Sequence, residues 1–337
     1  MTELIRQVRP MLQALELPVP PHALRNALLA LGAGLLVMAG LAALSTFWAP
    51  TRAWWDAADH GSAMAAGVQA SLLAAVATAV GALPVFVVQR VSKLQESALL
   101  AFSAGIMLAA SIFALLLPSL EAGQALTGER TGSAALTGLG LALGMGLMLA
   151  IDRITPHEHA VLPPAAQGHA SQHAGADTAA RSARLMVLAI LIHNVPEGLA
   201  VGAAYAGLGA DAAGSAGASV GTSVGASVAL AIGLQNMPEG LIVAMALRAM
   251  GQSASRAWGV AALTGLAEPL GAILGLLVLG SVPAFYPVGL ALAAGAMLFV
   301  ISHEIIPETH RNGFESWASV TLLAGFVFML LLDAALG

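Results

Sequence analysis

The stretch "HNVPEG", residues 193–198, stands in the middle of a long apolar run, and the chain repeats the phrase as "QNMPEG", 235–240. In the first copy His193 and Glu197 are four residues apart and Asn194 and Glu197 three, so one helix face presents all three. Pro196 has no N–H and presses against the carbonyl of Ile192, which predicts a freed carbonyl and a bent helix. Gly198 allows another backbone or a ligand to come close. The second copy repeats the arrangement with Gln235, Asn236, Glu239, Pro238 and Gly240, and there the freed carbonyl is that of Leu234.

The surroundings say what kind of helix this is. Of the 337 residues, 58% are hydrophobic and 9% charged. An ordinary soluble domain is roughly 45–50% apolar and about 25% charged. The excess fits a polytopic membrane protein, whose outer surface is apolar as well. The net charge of −5 and the lack of a broad basic surface argue against nucleic acid as a partner. With no cysteine, disulfides and thiolate metal sites are excluded.

A membrane-spanning helix needs about 20 apolar residues. Nine segments qualify: 26–48, 63–88, 97–117, 134–151, 185–206, 218–247, 257–280, 285–306 and 317–336. The first is too long for the apolar core of a signal peptide and lacks a clear cleavage site, so it reads as a retained helix. With the N-terminus (1–25) in the cytoplasm, the inner side holds Arg6, Arg9, Arg25, Arg90, Lys93, Arg153, Arg181, Arg184, Arg248, Arg256 and Arg311. The outer side holds only Arg52 and Arg130. This positive-inside bias supports nine spans and an external C-terminus. The longest polar connection, 152–184, is then cytoplasmic. It carries His157, His159, His169 and His173, and its composition reads as disordered. It serves either as a weak metal-capturing loop or as a flexible linker.

Internal repeats add a topology. "HNVPEGLAVGAA" (193–204) and "QNMPEGLIVAMA" (235–246) lie on consecutive, hence opposed, helices. "AGIMLAA" (104–110) before Pro118 is echoed by "AGAMLFV" (294–300) before Pro307, again on opposed helices, and Pro84 and Pro269 offer a thin third pair. Inverted repeats with proline-interrupted helices are typical of secondary transporters, whose site lies near the midplane at the repeat interface.

Two further carboxylates sit in apolar helices, Glu268 in "GLAEPLGA" and Glu304 in "ISHEIIPE". One charged carboxylate at the centre of a lone helix costs roughly 2.5–3.5 kcal/mol on insertion scales, so three or four uncompensated ones cost of order 10 kcal/mol. No Lys or Arg lies inside the spans to offset them. The countercharge must come from protons or bound cations. Imidazole, carboxylate and amide oxygen together favour a transition metal such as Zn²⁺, Fe²⁺, Mn²⁺, Co²⁺ or Cd²⁺ over Mg²⁺ or Ca²⁺.

The two phrases, with "AEPLGA" and "SHEIIPETHRNG", resemble the ZIP (Zrt/Irt-like) divalent metal transporters of bacteria over about 63–337. The resemblance implies an all-α polytopic membrane protein with an eight-helix core (3+2+3, inverted repeats, 63–337), to which the helix 26–48 is an addition. It implies a binuclear site. One metal would be held by His193, Glu197, Gln235 and Glu239 with Met107 nearby, the other by Asn194, Glu197, Asn236, Glu239 and Glu268. His303 and Glu304 would lie on the exit path, with His157 and His159 of the loop beyond, and Glu121 at the outer mouth. Some bacterial members carry Asp where this chain has Asn236. The second site therefore has one negative charge fewer here, which weakens it or turns it from transport towards regulation. The expected activity is uptake of a divalent metal, Zn²⁺ foremost, across the bacterial inner membrane by rocking or elevator motion of one helix bundle against another. The expected partners are the lipid bilayer, the metal ions and a second copy of the chain. No prosthetic group is expected.

Other functions fit less well. A zinc protease needs H-E-x-x-H on one helix, and "HEIIP" has Pro307 in place of the second histidine. A carboxylate-bridged dimetal oxidase usually carries two Glu-x-x-His motifs, and none is present. A cation-coupled carrier of organic solutes has no need of imidazole and amide ligands clustered with glutamates.

Overall fold

A computed structural model describes residues 63–88, 90–154, 172–210, 217–279, 285–311 and 313–336. The predicted helix 26–48 and the histidines 157, 159 and 169 lie outside the described residues. Among the described residues every regular element is helical. The helices are α1 (Ala63–Ala82), α2 (Lys93–Ala110), α3 (Leu117–Thr127), α4 (Arg130–Ile154), α5 (Gln172–Ala210), α6 (Gly217–Ala249), α7 (Ala254–Thr264), α8 (Ala267–Leu279), α9 (Tyr286–Val300), α10 (Ile306–His310) and α11 (Glu315–Leu336). Seven spans are long and apolar enough to cross a membrane: Ala63–Phe86, Lys93–Thr127, Arg130–Arg153, Val224–Ala249, Ala254–Leu279, Tyr286–His310 and Glu315–Ala335. Helix α5, which contains the predicted span 185–206, packs in the middle of them against α8, α6, α1 and α9. Leu270, Leu274, Leu277, Val278, Leu323 and Leu331 are exposed. On the outside of a bundle, this is the apolar surface that lipid requires.

Local signals account for the helix ends. Ser92 opens α2 with a capping box: its Oγ accepts from the Gln95 N–H, and Gln95 Oε1 accepts from the Ser92 N–H. Gly128 closes α3 in the left-handed region, at φ +73°. Two expectations are corrected. The segment 172–184, read as part of a disordered loop, belongs to α5. Pro196 and Pro238 lie inside helices that run through them without a break. The interruptions come elsewhere. Six-residue and five-residue π-helical turns, Ser111–Leu116 and Ile301–Ile305, precede Pro118 and Pro307. A further break at Gly265–Leu266 precedes Pro269. Inside a packed bundle, neighbouring helices and small local adjustments can absorb one missing hydrogen bond, so a proline need not end a helix.

The inverted repeat governs the packing. The four closest helix pairings are α1 with α6, α5 with α8, α2 with α11 and α4 with α9. Each pairing has its counterpart in the other repeat, and glycines mark the contacts. A Cβ on Gly240 would overlap the Thr78 carbonyl, and one on Gly198 the Glu268 carbonyl. Gly81 abuts Met237 as Gly271 abuts Val195, and Gly105 abuts Leu322 as Gly295 abuts Leu141. Thr78 is therefore the counterpart of Glu268, 190 residues along the chain, and the same spacing relates Gly81 to Gly271 and Gly105 to Gly295. It leaves Pro84 and Pro269 out of register. Small residues at such crossings let backbones meet directly, which is how membrane helices gain packing energy without a hydrophobic drive. Gly198→Ala is expected to lower thermal stability in detergent, at a cost of about 1–3 kcal/mol for overpacking. Gly146→Ala, where a Cβ meets nothing within 4 Å, is expected to leave the melting temperature unchanged or raise it.

Candidate metal centre

The two N-x-P-E-G phrases meet where α5 and α6 cross between α1 and α8. Asn194, Glu197, Gln235, Asn236 and Glu268 are all at most 2% exposed. They are joined by short contacts. Gln235 Nε2 donates to Glu197 Oε1 at 2.5 Å, and Asn236 Nδ2 donates to Glu268 Oε1 at 2.8 Å. Thr78 Oγ1 approaches the same Glu268 oxygen at 3.5 Å. Asn194 Nδ2 donates to the Thr264 carbonyl at 2.9 Å, and Asn236 Nδ2 to the Ala74 carbonyl at 3.2 Å. Ala74 and Thr264 stand at the same spacing as Thr78 and Glu268, so these two bonds are related by the repeat. Ser103 Oγ of α2 donates to the Gln235 carbonyl at 3.2 Å, tying this crossing to the neighbouring helix.

The unpaired atoms carry the chemistry. Asn194 Oδ1, Glu197 Oε2, Gln235 Oε1 and Glu268 Oε2 are buried with no hydrogen-bond partner. Buried polar atoms are nearly always paired, and each exception calls for an explanation such as an ion. All four orphans here are acceptors. Among the described residues the Lys and Arg sit at helix ends or in connections, except Arg181 and Arg184, which stand at least ten residues before Asn194 along α5, so none of them is placed beside these oxygens. Four oxygen acceptors from two carboxylates and two amides form a hard, anionic donor set suited to a divalent cation. A fifth buried orphan, Gln69 Oε1 on α1, was not anticipated. No sequence repeat pointed to it.

The remaining expected residues are placed less uniformly. Glu239 lies within electrostatic reach of His193, Glu197 and Glu268. His193 Nε2 is 2.7 Å from Glu304 Oε2, so the imidazole joins the site to the π-helical turn after α9. Met107 is buried in the main apolar cluster. His303 is exposed, stacks on Phe299 with ring centroids 4.9 Å apart, and lies 3.7 Å from Asp152 Oδ1. Glu121 is exposed on α3. Among the described residues no three His, Asp or Glu side chains gather into a ready-made metal cage. Amide oxygens make up the rest of the donor set. Thr78 and Asp152 are site neighbours that sequence reasoning missed. Thr78 became visible only through the packing register, and nothing around Asp152 set it apart from a helix-end carboxylate.

Residues 166–333 match the family described as ZIP Zinc transporter. The chain is 43% identical over 263 residues to the zinc transporter ZIPB of Bordetella bronchiseptica, covering 77% of this chain and 78% of that protein. It is 45% identical over 275 residues to the zinc transporter GufA of Myxococcus xanthus, covering 81% of this chain and all of that protein. The chain belongs to the ZIP family. Similarity extends to animals: the zinc transporter ZIP11 of Homo sapiens is 33% identical over 180 residues, covering 53% of this chain and 50% of that protein. These ZIP relatives are named as transporters and not as enzymes, and the seven apolar spans make this chain an integral membrane protein.

Glu197→Gln removes a buried ionisable carboxyl while keeping the shape and an acceptor for Gln235. The metal-free Glu197→Gln protein is expected to melt at a higher temperature than the parent, because functional sites commonly hold groups that cost stability. Cd²⁺, expected to raise the melting temperature of the parent by ligand linkage, should raise that of the variant much less. Thermal unfolding in detergent with and without Cd²⁺ measures both effects.

Proposed function

We propose that this protein carries a divalent transition metal, Zn²⁺ foremost, into the cytoplasm through the site between α1, α5, α6 and α8. One observation carries the reading: four buried acceptor oxygens, on Asn194, Glu197, Gln235 and Glu268 of the three helices α5, α6 and α8, have no hydrogen-bond donor to satisfy them. The relatives named zinc transporters support zinc as the cargo, while carboxylate and amide oxygens together with the His193 imidazole also accommodate Cd²⁺, Fe²⁺ and Mn²⁺. Glu239 and His193 complete the coordination when the ion is present. His193 then turns from Glu304 towards the metal, so loading the site breaks a contact with the turn that holds His303 and Glu304. That turn, with Asp152 beside His303, lines the exit towards the cytoplasm.

The helix pairing supports a moving-bundle mechanism. The contacts of α1 with α6 and of α5 with α8 run backbone against glycine, so these four helices move as a unit that holds the metal. They face α2 and α9 through small side chains such as Ala104, Ala109, Ala110, Ala293 and Ala294. The bacterial inner membrane is the proposed location, with the arginine-rich helix ends in the cytoplasm, and a second copy of the chain is the proposed partner in the bilayer.

Purified protein in liposomes with an internal fluorescent chelator tests the reading. Saturable Zn²⁺ or Cd²⁺ uptake is expected. Glu197→Ala and Glu239→Ala should reduce it to the rate of empty liposomes, whereas Asn236→Ala should alter it less. Uptake that persists in both glutamate variants would rule out this site.

A further inference from the structure

Asn194 and Asn236 are repeat-related, and each anchors its amide nitrogen on the backbone of the helix beside it, at Thr264 and Ala74. Their free ends differ. Asn194 Oδ1 is buried and unpartnered, open to a cation. Asn236 has no amide hydrogen left free. Its Nδ2 donates both to the Ala74 carbonyl at 3.2 Å and to Glu268 Oε1 at 2.8 Å, and its Oδ1 accepts from Gln235 Nε2 at 3.4 Å. The orientation of the amide is fixed by this network. A flip would set its oxygen against the Ala74 carbonyl and the Glu268 carboxylate, and its nitrogen against the Gln235 donor, so every contact would become repulsive.

We infer that Asn236 is a positioning residue and not a metal ligand: its amide N–H groups occupy the place of a second cation between Ala74, Thr78 and Glu268, so the site loads one metal per chain. The inference rests on the transport-site reading above and narrows it. Glu268 Oε1 is held by Asn236, with Thr78 Oγ1 at the edge of hydrogen-bond range, and Oε2 is the oxygen of this carboxylate left without a partner. An aspartate at position 236 would reverse the situation. The Ala74 carbonyl, Glu268 Oε1 and the new carboxylate would be acceptors facing one another, with the Thr78 hydroxyl as their one neighbouring donor, and such a cluster is satisfied by a divalent cation.

The test counts bound Cd²⁺ by mass spectrometry on full-length protein in detergent after desalting. The Glu197→Ala/Glu268→Ala double variant, which keeps the histidines of 157–173, supplies the background to be subtracted. The expected result is one Cd²⁺ per chain for the parent and a doubling to two for Asn236→Asp. Two Cd²⁺ in the parent would overturn the inference and leave the site reading standing. No difference between the parent and the double variant would overturn the site reading, and the inference with it. An Asn236→Asp protein that is folded by size-exclusion profile and stays at one Cd²⁺ would overturn the displacement of a second cation by Asn236. Should Asn236→Asp not fold, the count in the parent decides alone.

Discussion

The structure depends on one electrostatic constraint. Glu197 and Glu268 are buried in apolar helices with no Lys or Arg beside them, and one oxygen of each remains without any donor. In a medium that solvates charge poorly, such groups must be compensated by an ion, a proton or a neighbouring dipole. The helix packing serves this need as well as apolar contact. Gly198 and Gly240 each follow a glutamate directly, and each presses on the helix that supplies the next polar group, at Glu268 and Thr78 respectively. One six-residue phrase thus delivers a buried carboxylate and the close contact that brings a second polar side chain to the same crossing.

Symmetry supplies the scaffold, and its violations supply the site. The backbone contacts of the two repeats correspond glycine for glycine. The side chains at the crossing do not. Glu268 faces Thr78, and His193 is replaced by Gln235 in the second phrase. A fully symmetric crossing would place identical donors on both sides of the repeat axis. The observed one gathers its unpaired oxygens unevenly, with one asparagine open and the other closed.

Much of this was legible in the sequence because the strongest signals are local. The lengths of apolar runs gave the spans to within a few residues at most ends, and the repeated phrase marked α5 and α6 as the centre. The charge argument pointed to Glu197, Glu239, Glu268 and Glu304, and the orphan carboxylate oxygens lie on the first and third of these. What was not legible depends on neighbours distant in sequence. The break expected at Pro196 and Pro238 is absent because surrounding helices support those turns, while π-helical turns fall before Pro118 and Pro307. Thr78 looks like an ordinary polar residue in an alanine-rich helix until the register with Glu268 is known. The helical start of α5 at Gln172 was hidden by a composition rich in small and polar residues. The pairing of His193 with Glu304 joins residues more than one hundred positions apart, and no spacing rule reaches that far.

The inverted pairing has a consequence for how the chain enters its membrane. A bundle built from opposed, equivalent halves looks much the same from either face, so its packing carries little information about which face is which. That choice falls to the helix ends. Taking each span as a crossing, Arg90, Lys93, Arg153, Arg248, Arg256 and Arg311 gather at one face among the described residues, and Arg130 stands at the other. Under the positive-inside rule a few charges at helix ends, apart from the buried crossing, therefore decide which face of the bundle meets the cytoplasm.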